Sequence, residues 1–545
     1  MRGVSRRGFL AAAAVTAAVV PAVAACSTDD DGQPTGAQPG PSTKKVLEPN
    51  RPGPYDLVIR RGRVVDPETG LDGVRDIGIK NGEIASISEQ PLDAPKSIDA
   101  DGQVVAPGFI DLHAHGQQLP AAWVQAFDGV TTALELESGL LPISRYYELV
   151  AEEGRPINYG ASAAWTYARI AEKEGLEPDG TIEWFQAAFA KPGWQNSLAT
   201  PEEIDAIIAR VEQGLKEGGL GIGINAGYAP GNNRKEYWAL AKLAKRYEVP
   251  TYTHVRYLSV IEPQSTFEAL GELVAIATST GAHMHICHLN STSARDGHDC
   301  VEFVKSAQAA GAPVTVEAYP FGAGSSTVGA EQFRGDDWVQ RWGVPDASWM
   351  ELNGRPLTQA EIDQLQKEAP GTTIVIHFLR PDQSQGDGDI LDASVLYPGG
   401  SIASDGMPWI DTTGRVVQGD VWPLPEGAFA HPRSAGCFSK FISQYVRERK
   451  VIPLPDALAK TSLFPARVLE SSVPQMRRKG RLQVGADADV IVFDLNTIKD
   501  NATFTQPAQL STGMRHVVVN GTPIIADGNR IAEARPGKPI RRDAK

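Results

Sequence analysis

The segment PGFIDLHAHG, residues 107–116, joins an apolar run to two histidines that are one residue apart. The chain has 545 residues and only 10 histidines, so two of them here need an explanation. Because side chains alternate along a β-strand, His113 and His115 project to the same face. Two imidazoles on one strand end can bind one metal ion, but the pair alone is equally consistent with two half-buried structural histidines.

The middle of the chain alternates strand-like apolar runs with helical segments. The runs are VTTALELE (130–137), GLGIGINAG (219–227), VPTYTHV (249–255), HMHICHL (283–289), PVTVEAYP (313–320), TIVIHF (373–378) and SIASDG (401–406). Helix candidates lie between them, such as residues 201–218, which begin with a proline followed by two glutamates. This alternation predicts an α/β fold with a parallel sheet, and eight such units close a TIM (β/α)8 barrel.

The two flanks of this region have a different pattern. Residues 55–66 and 77–88 form short alternating runs with an Asn-Gly turn, and residues 480–494 and 514–528 are similar. We therefore predict one small β domain built from residues 55–106 and 476–545. The barrel domain between them is residues 107–475, with an insertion at about 328–370, because that stretch is too long for a simple connection.

Polar residues fall late in the strand-like runs of the barrel region. They are His113, His115, Glu135, Glu137, His254, His288 and Asp405. The carboxyl ends of the strands carry the active site of a TIM barrel, so these side chains are expected to converge. Imidazoles and carboxylates together form a ligand set that suits zinc.

Five segments resemble one known family. They are residues 226–256, residues 317–327 (EAYPFGAGSST), residues 403–408 (ASDGMP), residues 431–450 and residues 480–521. Together with PGFIDLHAHG, they resemble the metal-dependent amidohydrolase superfamily and, more narrowly, the N-acyl-D-amino-acid deacylases. The resemblance covers most of the chain from Tyr55 onwards.

The resemblance implies a metal site with one or two zinc ions. His113 and His115 match the ligands of the first barrel strand, His254 matches that of the fifth and His288 that of the sixth. Asp405 matches the aspartate that binds metal and acts as general base.

The chain departs from the family at the ligand that bridges two metal ions. Many relatives have a cysteine where this chain has Ser138, and others have a carboxylated lysine, which residues 219–227 lack. We expect a glutamate as the replacement and favour Glu137, which is nearer the strand end. Glu135 is then expected to be a hydrogen-bond acceptor or part of an internal ion pair.

The substrate site also departs from the family. Asn290 stands where relatives often have a lysine that helps to hold the substrate carboxylate. Arg433 matches the carboxylate-binding arginine, and Tyr319 with Ser325 or Ser326 matches the other anchors. Arg433 in a surface ion pair is the alternative.

The implied function is zinc-dependent hydrolysis of the amide bond of an N-acyl amino acid, D-configured, or of a similar small carboxylate-bearing amide. A metal-activated hydroxide would attack, with Asp405 as general acid and base. The alternatives are a dipeptidase or cyclic-amide hydrolase of the same superfamily, and a ligand-binding lipoprotein without catalysis.

The N-terminus carries a targeting pattern. Residues 1–26 contain a twin-arginine motif, an apolar stretch and a lipoprotein box ending at Cys26, the expected site of lipidation. Residues 27–54 read as an unstructured tether. We therefore expect export, an extracytoplasmic location and membrane contact only through the lipid anchor.

Net charge bears on the binding partners, and cysteine content bears on disulfide bonds. The formal net charge of -14 argues against a nucleic-acid partner, and the family resemblance implies a small-molecule substrate. Beyond Cys26 the three cysteines give no disulfide framework, although a Cys287–Cys300 bridge is conceivable.

Overall fold

The computed structural model describes residues 48–189 and 191–543. The predicted signal segment, the lipidation site Cys26 and most of the tether lie outside the described residues. Within the described ranges, every helix is too short or too polar to cross a membrane.

The N-terminal flank forms five strands: β1 (Leu57–Asp66), β2 (Leu71–Lys80), β3 (Glu83–Ser88), β4 (Ser97–Asp99) and β5 (Val104–Pro107). The predicted Asn-Gly turn joins β2 to β3, with φ of 54° at Asn81 and 79° at Gly82. Positive φ at both central residues is what a tight hairpin needs, because that turn follows the twist of the strands.

Seven strands of the barrel follow in order: β6 (Phe109–Asp111), β7 (Val130–Leu140), β8 (Asn158–Ala164), β9 (Ile222–Asn225), β10 (Thr251–His254), β11 (Met284–Ile286) and β12 (Val314–Ala318). Each is parallel to its neighbour in sequence. Their carboxyl ends therefore face the same side of the molecule.

An antiparallel sheet is inserted after β12. It contains β13 (Ala323–Thr327), β14 (Met350–Leu352), β15 (Arg355–Pro356) and β16 (Thr373–His377), in the order β13-β16-β14-β15. The sheet is wider than the predicted insertion at 328–370. Its strand β16 is the TIVIHF run, so the interpretation of that run as a barrel strand was wrong: a short apolar run does not reveal its pairing partner.

The eighth barrel strand is β17 (Ser401–Ile402), which is parallel to β12. A parallel bridge between Ala114 and Gly406 joins the two ends of the sheet, so the ring is nearly closed. The sequence patterns missed the third strand, β8, because NYGASAA has small residues of low strand propensity.

The C-terminal flank adds β18 (Val490–Phe493), β19 (Met514–Val519), β20 (Thr522–Ala526) and β21 (Asn529–Arg530). Strand β18 pairs antiparallel with β5, which joins the two flanks into one nine-stranded sheet. The predicted TIM barrel with a small β domain from both flanks is confirmed.

Sixteen α-helices pack around these sheets in the described residues. They are α1 (Leu119–Phe127), α2 (Ile143–Glu153), α3 (Trp165–Glu174), α4 (Ile182–Phe189), α5 (Gly193–Asn196), α6 (Pro201–Lys216), α7 (Arg234–Tyr247), α8 (Thr266–Thr280), α9 (Leu289–Ser293), α10 (Gly297–Ala309), α11 (Trp338–Arg341), α12 (Gln359–Glu368), α13 (Gln385–Val395), α14 (Arg433–Lys440), α15 (Leu454–Leu458) and α16 (Phe464–Leu469). The predicted start of α6 is confirmed: Thr200, which precedes Pro201, forms a capping box with Glu203 in the first turn.

Shorter helical segments complete the chain. They are the 3-10 turns Ala226–Tyr228, Ala294–Asp296, Glu331–Phe333, Ala347–Trp349 and Pro474–Arg478, and the π-helical segments Phe441–Glu448 and Ala459–Leu463. The π segments continue α14 and α15.

Candidate metal centre

The polar residues predicted at strand ends do converge at the carboxyl side of the barrel. His113 and His115 follow β6, Glu137 lies in β7, and His254 is the last residue of β10. His288 comes two residues after β11, and Asp405 comes three residues after β17. Five different strands therefore supply one cluster.

One group contains four side chains, in which Glu137 and Asp405 each face the same two histidine nitrogens. His113 Nε2 and His115 Nε2 are 3.1 Å apart. Glu137 Oε2 lies 3.4 Å from the first nitrogen and 3.5 Å from the second. Asp405 Oδ1 lies 3.5 Å from each of them.

A second group shares Glu137. Its other oxygen, Oε1, lies 3.0 Å from His254 Nδ1 and 3.0 Å from His288 Nε2. Those two nitrogens are 3.1 Å apart. The carboxylate of Glu137 therefore faces one histidine pair with each oxygen.

These separations fit zinc. Ligand atoms about 2.0–2.1 Å from a tetrahedral zinc ion are about 3.3–3.4 Å from one another, and the first group spans 3.1–3.5 Å. The buried donor set of imidazole nitrogens and carboxylate oxygens is also of the type that zinc prefers. A carboxylate that faces both groups fits two metal ions.

Three of the four histidines are held from behind by an acceptor. His113 Nδ1 contacts Glu317 Oε1 at 2.5 Å, His115 Nδ1 contacts Glu135 Oε2 at 2.9 Å, and His288 Nδ1 contacts Thr292 Oγ1 at 3.1 Å. A proton shared with the acceptor leaves the Nε2 lone pair free for a metal. Glu135 is thus a hydrogen-bond acceptor for His115, as the sequence analysis expects.

Glu317 was missed by the sequence analysis, and His285 lies in the polar core beside it. Glu317, near the end of β12, also accepts from His285 Nε2 at 3.1 Å, and His285 Nδ1 contacts Thr315 Oγ1 at 2.8 Å. The position of Glu317 late in a strand-like run was the available signal. His285 thus supports Glu317, which in turn orients His113.

Asn225 is the last residue of β9, the fourth barrel strand. Its Nδ2 donates to Glu137 Oε2 at 2.8 Å. Gly223 in the same strand allows this approach, because a Cβ atom there would lie 2.5 Å from the carbonyl oxygen of Glu137. An amide at this place therefore supports the carboxylate from β7.

Asp405 is held between the metal ligands and Arg433. Arg433 Nη2 lies 2.8 Å from Asp405 Oδ2, and Arg433 Nε donates to the Asp405 carbonyl oxygen at 2.7 Å. Asp405 has a φ of 50° and His288 a φ of 36°, both in the left-handed region that costs free energy for residues other than glycine. Strained backbone at two cluster residues is typical of functional sites.

The charges in the cluster shift its pKa values. Burial would lower the pKa of His115, but the charge of Glu135 and hydrogen bonds to Asp405 and Glu135 raise it to about 10. Burial opposes the shift at His113 as well, and the charges of Asp405, Glu137 and Glu317 raise its pKa. Without a metal, protons on His113 and His115 balance the charges of the ionised acids, and a bound cation would take over this role.

A cavity of about 860 Å³ opens over this cluster. His115, Glu137, His254, His288 and Asp405 are in its wall. The predicted substrate residues Tyr319, Ser325 and Ser326 also line it. Ser326 Oγ is 3.0 Å from Tyr228 Oη, whereas Ser325 Oγ donates to the Ile374 carbonyl oxygen.

Arg433 lies directly behind Gly324 and Tyr319 in this wall, so the alternative of a surface ion pair is wrong. It is buried, with its guanidinium carbon 4.5 Å from the Tyr319 ring centroid. Arg433 Nη1 and Tyr319 Oη have no hydrogen-bond partner among the described residues. A Cβ atom on Gly324 would lie 3.7 Å and 3.3 Å from them, so only a residue without a side chain separates both atoms from the cavity.

The structure corrects the substrate contact predicted for Asn290. Its Nδ2 donates to the carbonyl oxygens of Tyr319 and Phe321 at 3.1 Å each, and its Oδ1 accepts from the Tyr319 amide. The side chain is fully engaged by the backbone and is absent from the cavity wall. Asn290 therefore shapes the turn after β12.

His377 and the cysteines lie outside the cluster's cavity wall. His377 Nε2 is 3.2 Å from Glu351 Oε1 within the inserted sheet. Cys287, Cys300 and Cys437 are buried and free, so the Cys287–Cys300 bridge is not formed.

Comparison with known proteins gives a family match. The sequence profile described as Amidohydrolase family matches residues 96–289 and 168–525. An N-acyl-D-glutamate deacylase from Alcaligenes xylosoxydans xylosoxydans is 29% identical over 523 residues, covering 90% of this chain and 97% of the relative.

Two solved structures share the fold. A D-aminoacylase crystal structure, described as defining a novel subset of amidohydrolases, has a TM-score of 0.71 at 22% identity, with 90% of this chain and 100% of that chain covered. The N-acyl-D-glutamate deacylase of Bordetella bronchiseptica, complexed with zinc and a phosphonate inhibitor, has a TM-score of 0.69 at 22% identity. The match covers 89% of this chain and 99% of that chain.

Proposed function

The chain belongs to the amidohydrolase family, and from this premise we propose that it is a zinc-dependent hydrolase of N-acyl amino acids of D configuration. The chain is a metal-dependent amidohydrolase that resembles the N-acyl-D-amino-acid deacylases. The metal, the substrate and the residue roles are the proposal. The comparisons give no support to a ligand-binding lipoprotein without catalysis.

The observation that carries the substrate class is the pair of unpartnered groups behind Gly324. Arg433 Nη1 and Tyr319 Oη are buried donors that lie next to Gly324, a residue of the cavity wall beside Asp405. Buried donors without partners are costly, and a carboxylate would satisfy both with charge-assisted hydrogen bonds. An N-acyl amino acid has such a carboxylate close to its amide, whereas a simple cyclic amide has none.

We assign the metal ligands from the two groups that share Glu137. His113, His115 and Asp405 would hold one ion, His254 and His288 a second, and Glu137 would bridge them. Zinc bound here would lower the pKa of coordinated water towards about 7 and polarise the amide carbonyl.

We assign the proton transfers to Asp405. Its Oδ2 is held by Arg433 Nη2, which leaves Oδ1 beside the two histidines of the first group. Burial would raise the pKa of Asp405, but the charge of Arg433 lowers it, so the carboxylate is ionised and can accept a proton. The same oxygen would then return the proton to the leaving amine.

The decisive experiment is a substrate panel with controlled metal content. Zinc-loaded protein should hydrolyse N-acyl-D-amino acids, a chelator should abolish the activity, and zinc should restore it. The panel includes the L enantiomers, dipeptides and cyclic amides. Full activity in metal-free protein would contradict the metal mechanism, and preference for a cyclic amide or dipeptide would replace the substrate class.

Asp405→Asn tests the proton transfer within the same assay. An amide cannot accept the proton, so we expect kcat to fall about 10²–10⁴-fold. Circular dichroism and zinc content should be recorded alongside kcat. A near-normal rate would remove Asp405 from the role of base.

We also propose an extracytoplasmic location with a lipid anchor at Cys26, based on the twin-arginine motif and lipoprotein box. In cells, a Cys26→Ser variant should release the activity from the membrane fraction. Retention in that fraction would contradict the anchor.

A further inference from the structure

A chain of aromatic rings runs along the cavity wall away from the metal cluster. It starts at His254, whose ring centroid is 4.9 Å from that of Tyr228. Tyr228 is followed by Phe189 at 5.4 Å, Phe185 at 5.1 Å and Tyr167 at 5.1 Å. All five residues line the cavity, and we call them the aromatic wall.

The far end of the aromatic wall lies across the barrel from the proposed carboxylate subsite of Arg433 and Tyr319, whereas Tyr228 at its near end lies 3.0 Å from Ser326 Oγ. Tyr319 follows β12, whereas Tyr167, Phe185 and Phe189 follow β8. These two strands are four places apart in the eight-stranded ring, which puts them on opposite sides. A substrate whose carboxylate reaches Arg433 and whose amide lies at the metal cluster would direct its acyl group towards the aromatic wall.

Two arginines line the cavity among the described residues, and each has an acidic or carbonyl acceptor. Arg155 donates to the carbonyl oxygens of Gln117 and Gly154 and to Glu153 Oε2. The other arginine in the cavity wall, Arg334, is on the inserted segment, where Nε donates to the Gly329 carbonyl oxygen. Acidic residues Glu152, Glu153 and Glu183 line the cavity on the α2 and α4 side. An anionic acyl group would be repelled here.

We propose that the aromatic wall is the acyl subsite and selects a long or aromatic neutral acyl group over acetyl. The inference rests on the proposed function and adds the class of acyl group to it. The cavity volume of about 860 Å³ is large for an acetylated amino acid and leaves room beyond the amide. Apolar acyl carbons packed on aromatic rings are removed from water, which favours their binding.

The test compares N-octanoyl and N-acetyl derivatives of one D-amino acid with zinc-loaded protein. We expect kcat/KM to be about tenfold or more higher for the octanoyl substrate, because its additional methylene groups leave water. Equal values, or a preference for acetyl, would overturn the acyl subsite while leaving the proposed function intact. Absence of hydrolysis with every N-acyl amino acid would instead overturn the proposed function.

Variants of the aromatic wall test whether it causes the preference for octanoyl over acetyl substrates. Phe189→Ala and Phe185→Ala should each lower the octanoyl-to-acetyl ratio of kcat/KM about fivefold or more. Val416→Ala removes an apolar side chain from the cavity wall after β17 and should leave the ratio unchanged. Identical ratios in all three variants and the unaltered protein would overturn the assignment.

A binding measurement keeps the inference testable without turnover. By calorimetry, sodium octanoate should bind the zinc-loaded protein about tenfold or more tightly than sodium acetate, since both carry the same carboxylate. Phe189→Ala should reduce this difference, and Val416→Ala should not. Equal affinities for octanoate and acetate would contradict the acyl subsite.

Discussion

At the scale of the residue, Glu135 and Glu137 show how two positions on one strand acquire different surroundings. Both side chains project from the same face of β7, two residues apart. Glu135 lies behind His115, whereas Glu137 lies between two pairs of histidines. The difference comes from the depth of each residue in the barrel mouth.

Replacing each glutamate in turn should distinguish the proposed metal-bridging role of Glu137 from the hydrogen-bonding role of Glu135 behind His115. Glu137→Ala removes a ligand of both proposed ions, so zinc content should fall to about one ion per chain or less. Glu135→Ala should reduce zinc affinity less, because His115 keeps its Nε2. Elemental analysis after dialysis gives both numbers, and the reverse ranking would move the bridge to Glu135.

Glu317 provides a second residue-scale prediction. Glu317→Gln replaces the charged acceptor behind His113 with a neutral one, so zinc affinity should fall about 10–100-fold. Competition with a chelator measures this without turnover.

Glu272→Gln is the matched control for Glu317→Gln. It weakens the ion pair with the buried Arg256, whose other hydrogen bonds go to the carbonyl oxygens of Pro230 and Asn232. Zinc affinity should stay unchanged in this control. If the zinc affinity of Glu317→Gln equals that of Glu272→Gln, then Glu317 does not orient His113.

At the scale of the element, strand β13 is the part of the insertion that shapes the substrate site. It pairs with β16 along five residues, and this pairing fixes Gly324 in front of Arg433 and Tyr319. The insertion therefore supplies the glycine that borders the proposed carboxylate subsite. Arg433 itself also holds Asp405, so its replacement would disturb two functions at once.

Gly324→Val isolates the carboxylate subsite. A branched side chain there would block access to Arg433 Nη1 and leave the contact of Nη2 with Asp405 in place. We expect KM for an N-acyl amino acid to rise about tenfold or more, with zinc content unchanged.

Gly371→Val is the control for Gly324→Val. Gly371 also lines the cavity, but a Cβ atom at this position would have no neighbouring atom within 4 Å among the described residues. The control should therefore leave KM close to that of the unaltered protein. An unaltered KM in Gly324→Val would contradict the carboxylate subsite.

At the scale of the whole molecule, metal binding and protonation compete in one buried cluster. In the metal-free protein, His115 has a pKa of about 10 and the pKa of His113 is also raised, so both carry protons at neutral pH. A metal ion must displace these protons. Zinc affinity should therefore rise with pH by about one log unit per pH unit for each proton released, and level off above about pH 10.

Titration with a buffered zinc indicator between about pH 6 and 8 checks this dependence, within the range in which the protein remains folded. Proton release measured in two buffers of different ionisation enthalpy should give the same number of protons. Affinity that does not change with pH would mean that the histidines are neutral before the metal binds.

The sequence alone determined the local features of this protein. Some of these features depend on nearest neighbours: the Asn-Gly turn at residues 81–82, the start of α6 and the common face of His113 and His115. The barrel with its flanking β domain depends on repeating patterns. Such patterns are set by side-chain periodicity and backbone conformation, which each segment carries with it. They also placed Glu137 and Asp405 at strand ends.

The tertiary structure decided what required the meeting of distant segments. The third strand β8 and the insertion strand β16 are defined by their pairing partners, which periodicity cannot reveal. Asn290 turned out to bind the backbone after β12, and Glu317 turned out to lie behind His113, 204 residues away. Hydrogen-bond partners and burial arise only when the barrel closes, because closure brings side chains from separate strands to one end.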